Sequence, residues 1–258
     1  MTLVDSHCHL DRLNLGEEYQ DIQQLITDTK KSGVEYLLNV CIDKQNWQIV
    51  TDIANENQNV FCAVGVHPDS SDTANITFQE LAKISSHPKA IAIGETGLDY
   101  FHQTIPKKQQ IDSLRTHIRV ALDQNMPLVI HSREAKDDTI KILQEENATQ
   151  VGGIMHCFTE DLTMAKRAMD LGFYISFSGI LTFNNAKQLQ SVAKALPLDK
   201  ILIETDSPFL APTPFRGKPN QPKYVKHVAN KLAEIKNCDL ETIAQATTNN
   251  FFELFALE

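Results

Sequence analysis

Short apolar runs alternate with amphipathic stretches along the whole chain. Eight runs of four to six residues carry the β-branched and aliphatic residues typical of strands. Residues 128–130 (Leu-Val-Ile) and 201–203 (Ile-Leu-Ile) are apolar on both faces, as expected for parallel strands that helices cover. The predicted strands are residues 2–6, 35–40, 60–64, 90–94, 128–131, 153–156, 173–177 and 200–204.

Helical periodicity fills the intervals between these runs. The predicted helices are residues 20–32, 46–57, 78–86, 107–124, 135–146, 162–171 and 186–196, with two more, 223–235 and 240–255, after the last strand. Eight β/α units predict one (β/α)8 TIM barrel over residues 1–258, and such barrels typically have ~250 residues. A doubly wound sheet is the alternative. Five of the ten prolines fall between Pro208 and Pro222, which predicts a stiff, extended loop.

Charge and cysteine usage narrow the class of protein. The net charge of −9 argues against a protein that coats duplex nucleic acid, because such binding depends on a basic face. The five cysteines are widely spaced and form no C-x-x-C pair, so we expect reduced thiols. Residues 1–10 do not have the pattern of a signal peptide, and no apolar run reaches the ~18 residues of a membrane span. We therefore expect a cytoplasmic protein without a membrane segment.

Histidines concentrate at the predicted strand ends. His7 and His9 lie two residues apart on the first strand, so their side chains face the same side and Cys8 faces the other. In a TIM barrel, the carboxyl ends of the strands form the active-site face. The strand-end groups are His7, His9, His67, His131, His156, Glu95 and Asp206, whereas His87, His102, His117 and His227 are assigned to helices. A single such histidine is more often a hydrogen-bonded core residue, but the whole set indicates a metal site.

The number of ligand groups indicates two ions. Strands 1, 4, 5, 6 and 8 supply six of these groups, all except His67, and six exceed the three protein ligands of a catalytic zinc with an open position. They suit two divalent ions that share a carboxylate, lower the pKa of the water that becomes a bridging hydroxide, and hold the oxygens of an in-line displacement. Imidazoles favour zinc, while carboxylates with water admit manganese or magnesium.

Several segments in order along the chain resemble those of one family. They are Asp5-Ser6-His7-Cys8-His9-Leu10-Asp11, Gly65-Val66-His67-Pro68, Gly94-Glu95-Thr96-Gly97-Leu98-Asp99, His131-Ser132-Arg133, His156-Cys157-Phe158, Ser176-Phe177-Ser178-Gly179 and Glu204-Thr205-Asp206-Ser207-Pro208. The sequence resembles the TatD family of metal-dependent deoxyribonucleases, within the amidohydrolase-like barrels. Many barrels of that wider group bridge their metals with a modified lysine from the fourth strand, where this chain has Glu95.

The resemblance implies a role for each matching residue. One ion would be held by His7, His9, Glu95 and Asp206, and the other by Glu95, His131 and His156. Asp206 would also take the proton from the attacking water. The implied activity is hydrolysis of phosphodiester bonds in DNA, often from the 3′ end.

A second group of residues supports two interpretations each. His67 and Arg133 could hold a phosphate oxygen or form a hydrogen bond at the rim. Glu204 could orient a ligand histidine or bond a neighbouring strand. Tyr100 and Phe101 could stack a base, but capping of the barrel is favoured. Arg216 and Lys218 could approach phosphate or be solvated charges. Cys8 and Cys157 have the opposite parity to the ligands, so we expect them to pack against helices and not to bind metal.

The leading hypothesis is a metal-dependent phosphodiesterase that acts on the ends of DNA, chiefly single-stranded, with no obligatory protein partner. The same barrel and ligands could instead hydrolyse a carboxylic ester, a lactone or an aminoacyl-RNA bond. A metal-binding scaffold without turnover is the third hypothesis, and the intact Asp206 speaks against it. The chain has neither a G-x-S-x-G elbow nor a Walker-type loop, so covalent serine catalysis and nucleoside-triphosphate chemistry are not expected.

Overall fold

Eight parallel strands form one sheet in which each strand pairs with the next along the chain. The computed structural model describes residues 2–16 and 18–257. The strands are β1 (Leu3–Cys8), β2 (Val34–Val40), β3 (Val60–Val64), β4 (Ala90–Asp99), β5 (Leu128–Arg133), β6 (Gly153–Met155), β7 (Phe173–Phe177) and β8 (Ile201–Ile203). A parallel bridge joins Cys8 to Ser207, and the Ser6 hydroxyl donates to the Ile203 carbonyl over 3.0 Å. These contacts bring the last strand back to the first, so the sheet is the predicted TIM barrel and not a doubly wound sheet.

Helices cover the outside of the barrel. They are α1 (Ile22–Lys31), α2 (Trp47–Glu56), α3 (Phe78–Ser85), α4 (Lys107–Gln124), α5 (Lys136–Glu145), α6 (Leu162–Asp170), α7 (Lys187–Ala195), α8 (Val225–Lys236) and α9 (Leu240–Leu254). Asp21, Thr77, Asp161 and Asp239 each accept a hydrogen bond from a backbone N–H of the first turn and so define where α1, α3, α6 and α9 begin. Within residues 2–16 and 18–257, none of these helices combines the length and the apolar character needed to cross a membrane.

The fourth strand extends further than its apolar pattern predicts. It continues to Asp99 instead of ending at Gly94, because residues 96–99 pair with residues 130–133 of β5. Gly97 makes this pairing possible: its φ is 146°, and a Cβ there would lie 1.9 Å from the carbonyl oxygen of His131. Glu95 is therefore inside a strand, and not in the loop that follows it.

The C-terminal helix closes the amino end of the barrel. Phe251 and Phe255 of α9 belong to the apolar cluster formed by the inward-facing strand residues. The Thr248 hydroxyl donates to the carbonyl of Thr2, the residue before β1, over 3.0 Å. The second of the two helices predicted after the last strand thus fills one end of the barrel, and the opposite end is left for chemistry.

The proline-rich segment after β8 is folded back on itself. The buried Asn220 side chain donates to the carbonyls of Thr205, over 2.8 Å, and Phe209, over 2.6 Å. Further along, the rings of Phe215 and Tyr224 stack with their centroids 4.1 Å apart. These contacts hold the segment in place beside the last strand.

The close approach of β4 and β5 predicts a large cost for a side chain at Gly97. We expect Gly97→Ala to lower the free energy of unfolding by about 3 kcal/mol, because a strained φ and an overpacked contact each cost roughly 1–3 kcal/mol. Gly16→Ala is the control: its φ is also positive, at 58°, but among the described residues, its chain neighbours aside, no atom lies within 4 Å of the added Cβ, so the loss should be about 1 kcal/mol. Urea denaturation of both variants measures the difference, and equal losses would contradict the clash.

Candidate metal centre

Glu95 lies at the centre of the histidine cluster, and its two oxygens face different imidazoles. Its Oε2 is 3.3 Å from Nε2 of His7 and 3.8 Å from Nε2 of His9. Its Oε1 is 2.8 Å from Nε2 of His156 and 3.2 Å from Nδ1 of His131. The carboxylate therefore stands between two groups of nitrogen ligands, which is the arrangement that a bridging ligand needs.

Asp206 completes the first of these groups. Its Oδ1 lies 3.3 Å from Nε2 of His9 and 3.7 Å from Nε2 of His7. The residue has a φ of 57°, and its backbone N–H donates to the carbonyl of His7 over 2.9 Å. Aspartate is one of the few residues that tolerate this left-handed conformation, and here it turns the carboxylate back toward β1.

Three of the imidazoles are anchored through the nitrogen that faces away from Glu95. Nδ1 of His9 donates to the carbonyl of Val40 over 2.8 Å. Nε2 of His131 lies 3.1 Å from Oδ2 of Asp99, and Nδ1 of His156 lies 3.3 Å from Oε1 of Glu204. Such outer partners set the tautomer and leave the other ring nitrogen free to bind a metal. These three anchors are Val40, Asp99 and Glu204.

The donor set fits metal ions better than it fits hydrogen bonds. Nε2 of His7 and Nε2 of His9 face each other at 3.3 Å, and both atoms also face the carboxylates of Glu95 and Asp206. The buried Nδ1 of His7 has no hydrogen-bond partner among the described residues. A cation between the two Nε2 atoms and the carboxylates of Glu95 and Asp206 would satisfy all four groups.

The charge balance points the same way. Burial would raise the pKa of the Glu95 carboxyl, but the neighbouring imidazoles outweigh it and hold that pKa well below its usual range. Burial likewise opposes the charge of His156, yet Glu95 and Glu204 raise its pKa well above the ordinary value. In the metal-free protein the ionised carboxylates thus hold protons on neighbouring imidazoles. Divalent ions can take the place of these protons.

His67 differs from the other histidines of the cluster. Its Nε2 lies 3.4 Å from Oε1 of Glu95, and its Nδ1 accepts the backbone N–H of Asp69 over 3.1 Å. Burial lowers the pKa of His67 to about 3. The ring is therefore neutral and carries its proton on Nε2, so it can donate one hydrogen bond into the site.

The cluster opens into a cavity of about 690 Å³ at the carboxyl ends of the strands. Arg133 and His67 line it beside the ligand groups, as the sequence predicts. The guanidinium of Arg133 lies 4.0 Å from the ring centroid of Phe101, and among the described residues no carboxylate forms an ion pair with it. Arg133 is therefore available to an anionic ligand at the mouth.

The remaining candidates divide between structural and exposed positions. Tyr100 is buried in the apolar cluster that joins the strands to the outer helices, and its hydroxyl donates to Asp138 over 2.8 Å, so it packs beside the barrel and does not cap it. Phe101 does not cap it, because 52% of the residue is exposed. Arg216 stacks on the ring of Phe183 at 4.1 Å, and Lys218 is exposed.

Three further expectations about individual residues are wrong. Cys157 does not pack against a helix but lines the cavity, with its Sγ 3.2 Å from Oγ of Ser178. The strand alternation no longer applies there, because β6 has already ended and Cys157 has a φ of 43°. His102 is not helical: it lies in the turn after β4 and lines the cavity. His87, also assigned to a helix, lies in the turn before β4. Cys8 is buried as expected, and its thiol donates to the Leu38 carbonyl over 3.4 Å.

Sequence reasoning missed Asp99 as a functional residue. Its Oδ2 lies 3.1 Å from His131 and 2.9 Å from Nδ1 of His102. Hydrogen bonds from both histidines lower the pKa of Asp99, although burial opposes this. The apolar pattern does not show the extension of β4. The only sequence feature that could have identified Asp99 is therefore its position at the end of the segment that begins at Gly94.

The fold and the site together define a metal-dependent hydrolase built on a TIM barrel. The chain belongs to the TatD family, since the family model described as TatD related DNase matches residues 4–256. It is similar to the uncharacterized metal-dependent hydrolase YcfH of Escherichia coli K12, at 42% identity over 259 residues, 100% of this chain and 97% of that relative. The uncharacterized metal-dependent hydrolase YabD of Bacillus subtilis is also 42% identical over 259 residues, 99% of each chain.

A solved structure supports the same assignment. The TatD homologue YjjV from Escherichia coli K12 superposes with a TM-score of 0.91 at 27% sequence identity. The similarity covers 99% of this chain and 98% of that one. The whole barrel, and not only the metal-binding mouth, is therefore shared with a TatD homologue.

The contact of Glu204 with His156 predicts an effect on metal affinity. Glu204→Gln keeps the size of the side chain but removes the charge that holds the His156 Nδ1–H, so we expect metal binding about 10- to 100-fold weaker. Isothermal titration with zinc or manganese measures it. Asp138→Asn, at the partner of the Tyr100 hydroxyl, makes the same charge change outside the cluster and should leave the affinity as it is. Equal affinities for all three proteins would contradict this role for Glu204.

Proposed function

We propose that this protein is a deoxyribonuclease that hydrolyses phosphodiester bonds at the ends of single-stranded DNA, from the 3′ end. One observation carries the proposal: the two oxygens of Glu95 face separate imidazole groups, with Asp206 beside one of them. This arrangement suits a pair of divalent ions, the usual centre for in-line displacement at phosphorus. The family description, which names a DNase, supports the choice of DNA.

The residues divide between two proposed ions. His7, His9, Glu95 and Asp206 would hold one ion, and Glu95, His131 and His156 the other. When bound, such ions would supply an activated water and neutralise the charge that develops on the phosphate oxygens. Zinc, manganese and magnesium are all compatible with this mixture of imidazoles and carboxylates.

Asp206 is positioned to accept the proton of the attacking water. Its carboxylate lies on the cavity wall, and hydrogen bonding to His9 lowers its pKa although burial opposes this. The side chain is therefore ionised and can act as a general base. Its contact with His9 holds it in that position.

Two other groups are suited to the substrate phosphate. The guanidinium of Arg133 lies at the mouth and can form two parallel hydrogen bonds to a phosphate. The neutral ring of His67 can donate its Nε2–H to a phosphate oxygen beside Glu95. Neither group needs to change its protonation to do so.

The cellular setting is a further part of the proposal. All five cysteines are free thiols, which agrees with the reducing compartment expected from their spacing. We propose a cytoplasmic location and action without an obligatory protein partner.

The proposed base can be tested by removing its ability to accept a proton. We expect Asp206→Asn to lower turnover by about 10²- to 10⁴-fold. The barrel should stay folded, because asparagine tolerates the left-handed conformation at this position. Cys8→Ser is the matched control: it lies between two ligands, but its side chain is buried on the other side of the strand. Steady-state rates and bound metal should be measured for both variants. Loss of metal binding in Cys8→Ser would contradict the expectation that Cys8 faces away from the ligands of β1.

The substrate is tested with 5′-labelled single-stranded DNA, duplex DNA, RNA and a panel of carboxylic esters. We expect cutting from the 3′ end of single strands that requires a divalent ion and stops with chelator. The rate should depend only mildly on monovalent salt, because few phosphates are engaged. A steep salt dependence, or faster cutting of closed circular duplex, would contradict this model. Turnover of the esters alone would favour the carboxylic-bond hydrolase.

A further inference from the structure

Two phenylalanines at the mouth of the barrel leave about half of their surface in water. Among the described residues, the exposed large hydrophobic side chains are Ile49 at 50%, Phe101 at 52% and Phe209 at 50%. Phe209 lines the cavity, and Phe101 contacts two residues that line it, His102 and Arg133. Exposed aromatic rings at a cavity often mark a contact surface for a ligand.

The two rings lie on opposite sides of the candidate metal centre. Phe101 follows β4 and Phe209 follows β8, and strands four places apart in a sequential eight-stranded barrel face each other across its axis. Glu95 belongs to β4, and Asp206 follows β8. A ligand that reaches both rings must therefore pass over the metal centre.

Each ring is held by contacts with the site. Phe209 meets the imidazole of His9 edge-on at 6.0 Å, and its backbone N–H donates to the carbonyl of Asp206 over 2.9 Å. Phe101 packs against the guanidinium of Arg133 at 4.0 Å. Because Arg133 forms no ion pair with a carboxylate in the described part of the chain, an aromatic face and a free cation lie together at this edge.

We propose that Phe101 and Phe209 stack nucleobases on the two sides of the bond that is cut, while Arg133 binds a phosphate between them. The inference rests on the proposed function and adds the groups that would hold the bases of the strand. Stacking on an aromatic ring tolerates every base, because all bases have a π-face. A base in a duplex is already paired and stacked, so this arrangement selects unpaired strands without reading their sequence.

The test compares two single-stranded DNA oligonucleotides of equal length, one normal and one with abasic sugars at the 3′ end. The wild-type protein should cut the normal strand with a higher kcat/KM, by roughly 5- to 150-fold per stacked base, the range of base–aromatic stacking. Phe101→Leu and Phe209→Leu should each reduce this preference. Phe252→Leu, the same change on α9 at the amino end of the barrel, should retain it.

The outcomes separate this inference from the proposed function. If the wild type cuts both strands and its preference for bases survives in Phe101→Leu and Phe209→Leu, the stacking role is overturned and the nuclease assignment stands. If the wild type cuts neither strand, the nuclease assignment fails, and fluorescence anisotropy of the same two strands decides the inference. Tighter binding of the normal strand that is lost in the two variants supports stacking, whereas equal affinities overturn it.

Discussion

The mouth of this barrel is organised around a buried, ionised carboxylate. Glu95 is only 2% exposed, and a charge in such a place is costly unless opposite charges surround it. Imidazoles from β1, β5 and β6, or from the residues that follow them, supply that compensation directly. The outer nitrogens of His131, His156 and His9 are satisfied in turn by Asp99, Glu204 and a backbone carbonyl. Removal of the imidazoles, or of the groups that bond their outer nitrogens, would leave a buried polar group without a partner. The fold and the site therefore depend on each other.

The barrel delivers this arrangement through its longest strand pair. Because β4 and β5 stay paired to Asp99 and Arg133, Glu95, Asp99 and His131 share one rigid frame. The pairing depends on a glycine at position 97, where the two backbones approach closely. At the other end of the molecule, α9 seals the barrel with Phe251 and Phe255. The chemistry is thereby confined to one face.

The sequence predicts the features of the fold that follow from residue periodicity, but it does not predict those that depend on local backbone geometry. Alternation along β1 correctly separates His7 and His9 from Cys8, and eight apolar runs correctly predict the barrel. The same parity rule fails at Cys157, because β6 has already ended and the residue has a positive φ. The predicted end of β4 is wrong because a glycine usually indicates the end of a strand, whereas the glycine at position 97 permits β4 to pair with β5. The Val40 carbonyl orients His9, and no feature of the sequence predicts this backbone contact.

Charge and shape together determine how a polyanion can be recognised here. The net charge of −9 makes the long-range field of the protein repulsive to nucleic acid, so affinity has to arise at short range. The cavity of about 690 Å³ has the size of a small-ligand pocket, roughly 300–1,000 Å³, and not of a duplex footprint. Its walls include the guanidinium of Arg133, the neutral imidazole of His67 and the ring of Phe209, together with residues of the candidate metal centre. Under the proposed function, a flexible chain end would bring a phosphate and its bases to these groups at once, whereas the interior of a stiff duplex would not.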